Sequence, residues 1–128
     1  MPRTQPRTAL VVDDSAFMRA VLKDILIANG FSRVYQAGDG SEGAAMSARW
    51  RPDITTMDVA MPGTDGLHAL KTILAEDPEA KVIMVTASHD ESLAQEAMRL
   101  GAKAYITKPF DPSTISRTLA RVLEQAMK

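Results

Sequence analysis

The chain has 128 residues, and a typical domain has roughly 150, so one domain is predicted. Its 15 Lys and Arg and its 16 Asp and Glu leave a net charge of −1, which excludes the broad positive field of nonspecific nucleic-acid binders. The chain has no cysteine, which excludes disulfides, cysteine–zinc sites and thiol nucleophiles and fits a cytoplasmic protein.

The N-terminal segment MPRTQPR contains two prolines and leads into only four apolar residues, too few for a signal peptide. We therefore predict a flexible N-terminal tail over residues 1–7 and one folded domain over residues 8–128. No apolar run approaches the roughly 20 residues that a membrane span needs, so no membrane association is expected.

Short apolar runs alternate with longer amphipathic runs along the rest of the chain. The predicted strands are Ala9–Val12, Arg33–Ala37, Ile54–Met57, Lys81–Val85 and Ala104–Thr107. The predicted helices are 15–29, 40–50, 65–76, 91–100 and 112–127, with Ser15 as an N-cap and with Gly30 and Gly101 ending the first and fourth helices. This alternation predicts an α/β domain with a parallel sheet and right-handed crossovers.

Polar residues follow four of the five predicted strands. Asp13 and Asp14 follow the first strand, Asp58 the third, Thr86 the fourth and Lys108 the fifth. Because the carboxyl ends of parallel strands meet at one edge of a sheet, we expect these side chains to form one site. Carboxylate oxygens without His or Cys favour Mg²⁺, while a lysine amine and a hydroxyl suit phosphoryl oxygens. The set predicts transfer of a phosphoryl group onto, or past, a carboxylate, and aspartate is a known nucleophile for such transfers.

The segment from Gly38 to Gly43 (GDGSEG) has the G-x-G-x-x-G spacing of a dinucleotide-binding turn, and Asp58 follows at about the expected distance. The preceding strand is short and half polar, however, and the segment falls in the second βα unit. A turn before a helix explains the glycines more simply. The chain has no G-x-x-x-x-G-K-[ST] phosphate-binding loop.

Four motifs resemble the receiver domains of two-component response regulators. They are VVDDS (11–15), TMDVAMPGTDG (56–66), VTAS (85–88) and AYITKPF (104–110), and they follow one another in the family's order. The resemblance covers about residues 8–127 and is strongest to the stand-alone CheY type. It implies a flavodoxin-like (βα)5 fold with a central five-stranded parallel sheet in strand order 2-1-3-4-5.

The resemblance also implies roles for the residues of the predicted site. Asp58 would be the phosphoacceptor and would take its phosphoryl group from a histidine kinase in a Mg²⁺-dependent step. Asp13, Asp14, Asp58 and the backbone carbonyl of Ala60 would hold the Mg²⁺. Lys108 would pair with the phosphoryl oxygens.

Signalling would involve a switch at Thr86 and Tyr105 and an output face formed by the fourth helix, the fifth strand and the fifth helix, around Ala97, Lys103 and Tyr105. For Tyr105, a half-buried aromatic residue without a switching role is an equally good interpretation. The family tends to have a cis peptide at the position of Lys108–Pro109.

The implied molecule is a regulatory domain, not an enzyme for external substrates, and it assists only its own phosphorylation and dephosphorylation. Its expected partners are the histidine kinase and a downstream protein target, without direct nucleic-acid binding, and it would be a monomer or weak dimer. Two alternatives stay open: the receiver of a larger DNA-binding response regulator, and a small Mg²⁺-dependent phosphohydrolase or dinucleotide-binding domain.

Overall fold

The apolar runs of the sequence form the strands of one sheet, and the amphipathic runs form the helices between them. A computed structural model describes residues 7–61 and 65–126. The strands are β1 (Arg7–Val12), β2 (Phe31–Ala37), β3 (Ile54–Met57), β4 (Val82–Thr86) and β5 (Ala104–Thr107). The helices are α1 (Ala16–Ala28), α2 (Gly40–Trp50), α3 (Gly66–Glu76), α4 (Glu91–Leu100) and α5 (Pro112–Ala126).

The five strands are parallel and lie in the order β2-β1-β3-β4-β5. This confirms the predicted flavodoxin-like (βα)5 fold. None of the helices in the described part of the chain combines the length and the apolar character needed to cross a membrane.

The core consists of two apolar layers, one on each face of the sheet. Successive residues of a strand point to opposite faces, so Val11 of β1 packs in one layer while Leu10 and Val12 pack in the other. The first layer includes buried residues of α1 and α5, and the second includes buried residues of α3 and α4. Because apolar layers cover both faces, polar groups collect at the ends of the strands.

The helix ends follow the predicted signals. The Ser15 hydroxyl accepts a hydrogen bond from the Met18 N–H at 3.2 Å and caps α1, as predicted. Gly30 and Gly101 follow α1 and α4 with φ of 96° and 119°, a conformation that glycine adopts without steric cost.

Four strand ends, on three of the strands, differ from the prediction. Arg7, assigned to the tail, pairs with Phe31 as the first residue of β1, while residues 1–6 lie outside the described residues. β2 begins at Phe31 because this side chain is buried in the core. β4 runs to Thr86, which pairs with Thr107 of β5, and does not include Lys81.

One residue expected on the output face is buried. Ala97 is fully buried and belongs to the apolar layer that α4 forms with α3, so its assignment to an exposed surface was wrong. Its small side chain lies where α4 packs against the domain. Lys103 is exposed and Tyr105 half-buried, as a surface role requires.

Candidate functional site

The turn between β1 and α1 carries the first two carboxylates. Asp13 is only 1% exposed, and its N–H donates to the Ala37 carbonyl at 3.1 Å, which extends the pairing of β1 with β2 by one residue. The Asp13 Oδ1 accepts the Ser15 N–H at 2.9 Å, so the turn itself orients this carboxylate. Asp14 is exposed and leaves that side of the turn open to solvent.

The third carboxylate follows β3, the strand beside β1. The Asp58 N–H donates to the Val12 carbonyl at 3.0 Å, and its Oδ1 accepts the Ala60 N–H at 3.2 Å. Asp58 is 6% exposed. It is therefore held at the same edge of the sheet as Asp13.

Asp13, Asp14 and Asp58 each offer a carboxylate oxygen, and these three oxygens lie within 4.8 Å of one another. Three carboxylates so close repel each other unless a cation lies among them. Hard oxygen donors at this spacing, with one side open for water ligands, fit Mg²⁺. The predicted use of the Ala60 carbonyl as a further ligand stays a prediction.

Lys108 follows β5 and reaches across the sheet edge to two of the carboxylates. Its Nζ donates to Asp13 Oδ2 at 2.7 Å and to Asp58 Oδ2 at 3.2 Å, and its side chain is 16% exposed. Burial works against the charged amine, but the hydrogen bond to Asp13 and the charges of Asp58 and Asp13 outweigh it, so the pKa of Lys108 is raised. The Lys108–Pro109 peptide is cis, as expected.

The two predicted switch residues both contact the segment after β4. Thr86 is fully buried, and its Oγ1 accepts the Ser88 N–H at 3.3 Å, while its carbonyl accepts the Lys108 N–H at 2.8 Å. The Tyr105 hydroxyl donates to the Ser88 carbonyl at 3.4 Å. Burial raises the pKa of Tyr105. The hydrogen bond to Ser88 lowers it, and the negative charges of Asp90 and Asp58 raise it, so the net shift is upward. One short segment thus links both residues.

The G-x-G-x-x-G segment serves as a helix start. The Asp39 carboxylate accepts the Glu42 N–H at 2.8 Å, and the Glu42 carboxylate accepts the Gly38 N–H at 2.8 Å. Acidic side chains therefore take N–H groups that a pyrophosphate would need. A Cβ at Gly43 would come within 2.7 Å of a Val12 methyl, so this glycine allows α2 to pack against β1. The arrangement argues against dinucleotide binding.

Two residues at the site were not predicted from the sequence. Arg19 donates from Nη1 to the Asp13 carbonyl at 2.6 Å. The sequence feature that could have indicated this contact is the position of Arg19 one helical turn after the Ser15 cap. A Cβ at Gly66 would overlap the Asp58 carbonyl oxygen and come within 2.7 Å of Val59 Cα. Only glycine allows α3 to start so close behind Asp58.

The sequence is similar to known proteins over most of its length. A family model described as the response regulator receiver domain matches residues 9–120. The chemotaxis protein CheY of Thermotoga maritima is 40% identical over 116 residues, which cover 91% of this chain and 97% of that protein. A protein-glutamate methylesterase/protein-glutamine glutaminase of the same organism is 43% identical over 122 residues, which cover 93% of this chain and 35% of that protein.

The fold is also similar to those of solved CheY-like structures. A chain in the crystal structure of the CheX-CheY-BeF3-Mg²⁺ complex from Borrelia burgdorferi superposes with a TM-score of 0.88 at 34% identity. The match covers 92% of this chain and 90% of that chain.

Proposed function

Because this chain belongs to the response regulator receiver domain family, we propose that it is a phosphorylation-dependent signalling switch whose phosphoacceptor is Asp58. The observation that carries the proposal is the convergence of three carboxylates and the Lys108 amine at one edge of the sheet. In a parallel sheet the carboxyl ends of all strands lie at one edge, so the carboxylates after the neighbouring strands β1 and β3 can meet the Lys108 amine, which reaches them from β5.

In the proposed reaction, an Asp58 carboxylate oxygen forms a bond to phosphorus while the bond between phosphorus and the kinase histidine breaks. Asp13, Asp14, Asp58 and the Ala60 carbonyl would hold Mg²⁺, which would supply positive charge to offset that of the transferring group. Lys108 lies 3.2 Å from Asp58 Oδ2, so its amine needs only a short movement to reach a phosphoryl oxygen on that carboxylate.

Phosphorylation would then shift an existing equilibrium between two conformations. Thr86 and Tyr105 would report the new group, because both contact the segment around Ser88 that leads from the site into α4. The output would reach a downstream protein through the α4-β5-α5 face, on which Lys103 is exposed. If amide exchange on this face were unchanged by a phosphate mimic, this part of the proposal would fail.

We further propose a cytoplasmic, stand-alone regulator that is a monomer or weak dimer and that assists only its own phosphorylation and dephosphorylation. The match over 97% of the Thermotoga maritima CheY supports the stand-alone form. The alternative is the receiver of a larger DNA-binding response regulator, and the match to only 35% of the methylesterase supports a longer protein without favouring a DNA-binding one. The parent reading frame distinguishes the two.

The test is incubation with a small phosphodonor and measurement of the intact mass. The wild type should gain one phosphoryl group in the presence of Mg²⁺ and none with a chelator, and Asp58→Asn should gain none. The control Asp24→Asn removes an exposed carboxylate of α1 outside the cluster and should be labelled like the wild type. Equal labelling of Asp58→Asn would defeat the assignment.

A further inference from the structure

We propose that Arg19 is a positioning residue for the divalent metal, an inference that rests on the proposed function of the site. Arg19 belongs to the first turn of α1 and is half-buried. It does not belong to the carboxylate cluster. One of its hydrogen bonds is to the backbone between Asp13 and Asp14, which carry two of the three carboxylates.

The Arg19 guanidinium joins two loops at the edge of the sheet. Its Nη1 donates to the Asp13 carbonyl at 2.6 Å, and its Nε donates to Gln36 Oε1 at 3.2 Å. A Cβ at Gly38 would lie 3.7 Å from Nη1, which places the guanidinium against the start of the β2–α2 loop. Arg19 thus fixes the turn after β1 relative to the end of β2.

The bonded carbonyl belongs to the peptide between the two metal-binding aspartates. Because that peptide is planar, holding its oxygen also restricts the backbone of Asp14. The Asp13 carboxylate has two further anchors, the Ser15 N–H and the Lys108 amine. The exposed Asp14 carboxylate depends more on its backbone for orientation, so loss of Arg19 would affect Asp14 most.

Position and charge predict opposite effects of removing Arg19. The guanidinium is a cation near a cation site, so its charge alone opposes metal binding, and a neutral residue would tighten that binding. If Arg19 instead holds the turn, a neutral residue would weaken binding, by about tenfold or more as for other residues that orient metal ligands. The sign of the change therefore separates the two roles.

The experiment is calorimetric titration of Mg²⁺ into the unphosphorylated protein. We expect Arg19→Gln to raise the Kd for Mg²⁺ about tenfold or more. The Kd of Arg19→Lys should lie between those of Arg19→Gln and the wild type, because a single ammonium replaces a guanidinium that donates from two nitrogens. Arg33→Gln removes the same charge from an exposed position on β2 and should bind like the wild type. A second readout without metal is amide exchange at Ser15, which should be faster in Arg19→Gln because the turn is looser.

If the wild type binds Mg²⁺ and Arg19→Gln binds it equally or more tightly, this inference is overturned and the proposed function stays intact. Unchanged exchange at Ser15 in Arg19→Gln would also overturn it. A wild-type protein that binds no Mg²⁺ would overturn the metal site of the proposed function, and the positioning role with it.

Discussion

Asp14 provides a direct test of the repulsion within the carboxylate cluster. Lys108 bonds to Asp13 and Asp58, but Asp14 is the exposed member of the cluster and adds a third negative charge within 4.8 Å of the others. Replacing Asp14 by Asn keeps the shape of the side chain and removes that charge. The metal-free protein should therefore become more stable.

The spacing gives the size of the effect. At 4.8 Å, the upper limit of the oxygen spacing, two unit charges interact by about 3.5 kcal/mol at an effective dielectric constant of about 20 and by about 0.9 kcal/mol at about 80. Asp14 is repelled by two carboxylates and attracted by one ammonium, which leaves about one uncompensated repulsion. Because Asp14 is exposed, the lower part of the range applies, and we expect a gain of about 1–2 kcal/mol.

The assay is urea unfolding followed by far-UV circular dichroism, with a chelator and with excess Mg²⁺. Mg²⁺ should stabilise the wild type, because it binds only the folded site, and should stabilise Asp14→Asn less. Asp24→Asn, which removes an exposed carboxylate of α1 outside the cluster, should change stability by less than about 0.5 kcal/mol. An Asp14→Asn variant that is no more stable than the wild type in chelator would refute the reasoning.

Three further predictions follow from single contacts. The buried Thr56 hydroxyl has no hydrogen-bond partner among the residues that the structure describes, so Thr56→Val should raise the free energy of unfolding in urea by about 1 kcal/mol. The control Thr118→Val removes a 2.8 Å hydrogen bond within α5 and should not raise the free energy of unfolding. A Thr56→Val variant less stable than the wild type would count against the argument. A Gly66→Ala methyl would overlap the backbone of the phosphoacceptor, so this variant should lose about 1–3 kcal/mol in urea unfolding and react more slowly with a small phosphodonor. Gly38→Ala, with 3.7 Å of clearance, should stay close to the wild type, and equal behaviour of the two variants would contradict this prediction. Because folding raises the pKa of Lys108, the charged amine stabilises the fold below its unfolded pKa of about 10.4, and this contribution is lost as the pH rises through the folded pKa. The difference in unfolding free energy between the wild type and Lys108→Met should therefore be constant between about pH 7 and about pH 9 and shrink above about pH 10.4, and a difference that grows over this range would show the wrong sign.

Much of the fold was predictable because the interior strands β3 and β4 are buried on both faces and mostly apolar. The mostly apolar runs ITTM and VIMV fit strands that are covered on both faces, and signals such as Ser15 and Gly101 mark helix ends. Strand ends were less predictable, since they depend on neighbours distant in sequence. Phe31 extends β2 because it is buried against the core, and Thr86 extends β4 because it pairs with Thr107.

The carboxylates and Lys108 were predictable as one site, since in a parallel sheet the position at a strand end determines which side chains meet. Contacts made by helix side chains were not predictable in this way. They depend on the rotation of each helix about its axis, which a pattern of apolar residues defines only coarsely. The Arg19 bond to the Asp13 carbonyl is one such contact, and the burial of Ala97 is another.

The most direct test of the central claim is to locate the phosphoryl group. Borohydride reduction of the protein, after reaction with a small phosphodonor and Mg²⁺, converts a phosphorylated aspartate to homoserine, which peptide mapping by mass spectrometry then identifies. We predict homoserine at position 58 and at no other aspartate. Homoserine at a different aspartate, or a phosphoryl group that resists reduction on a serine or threonine, would contradict the account.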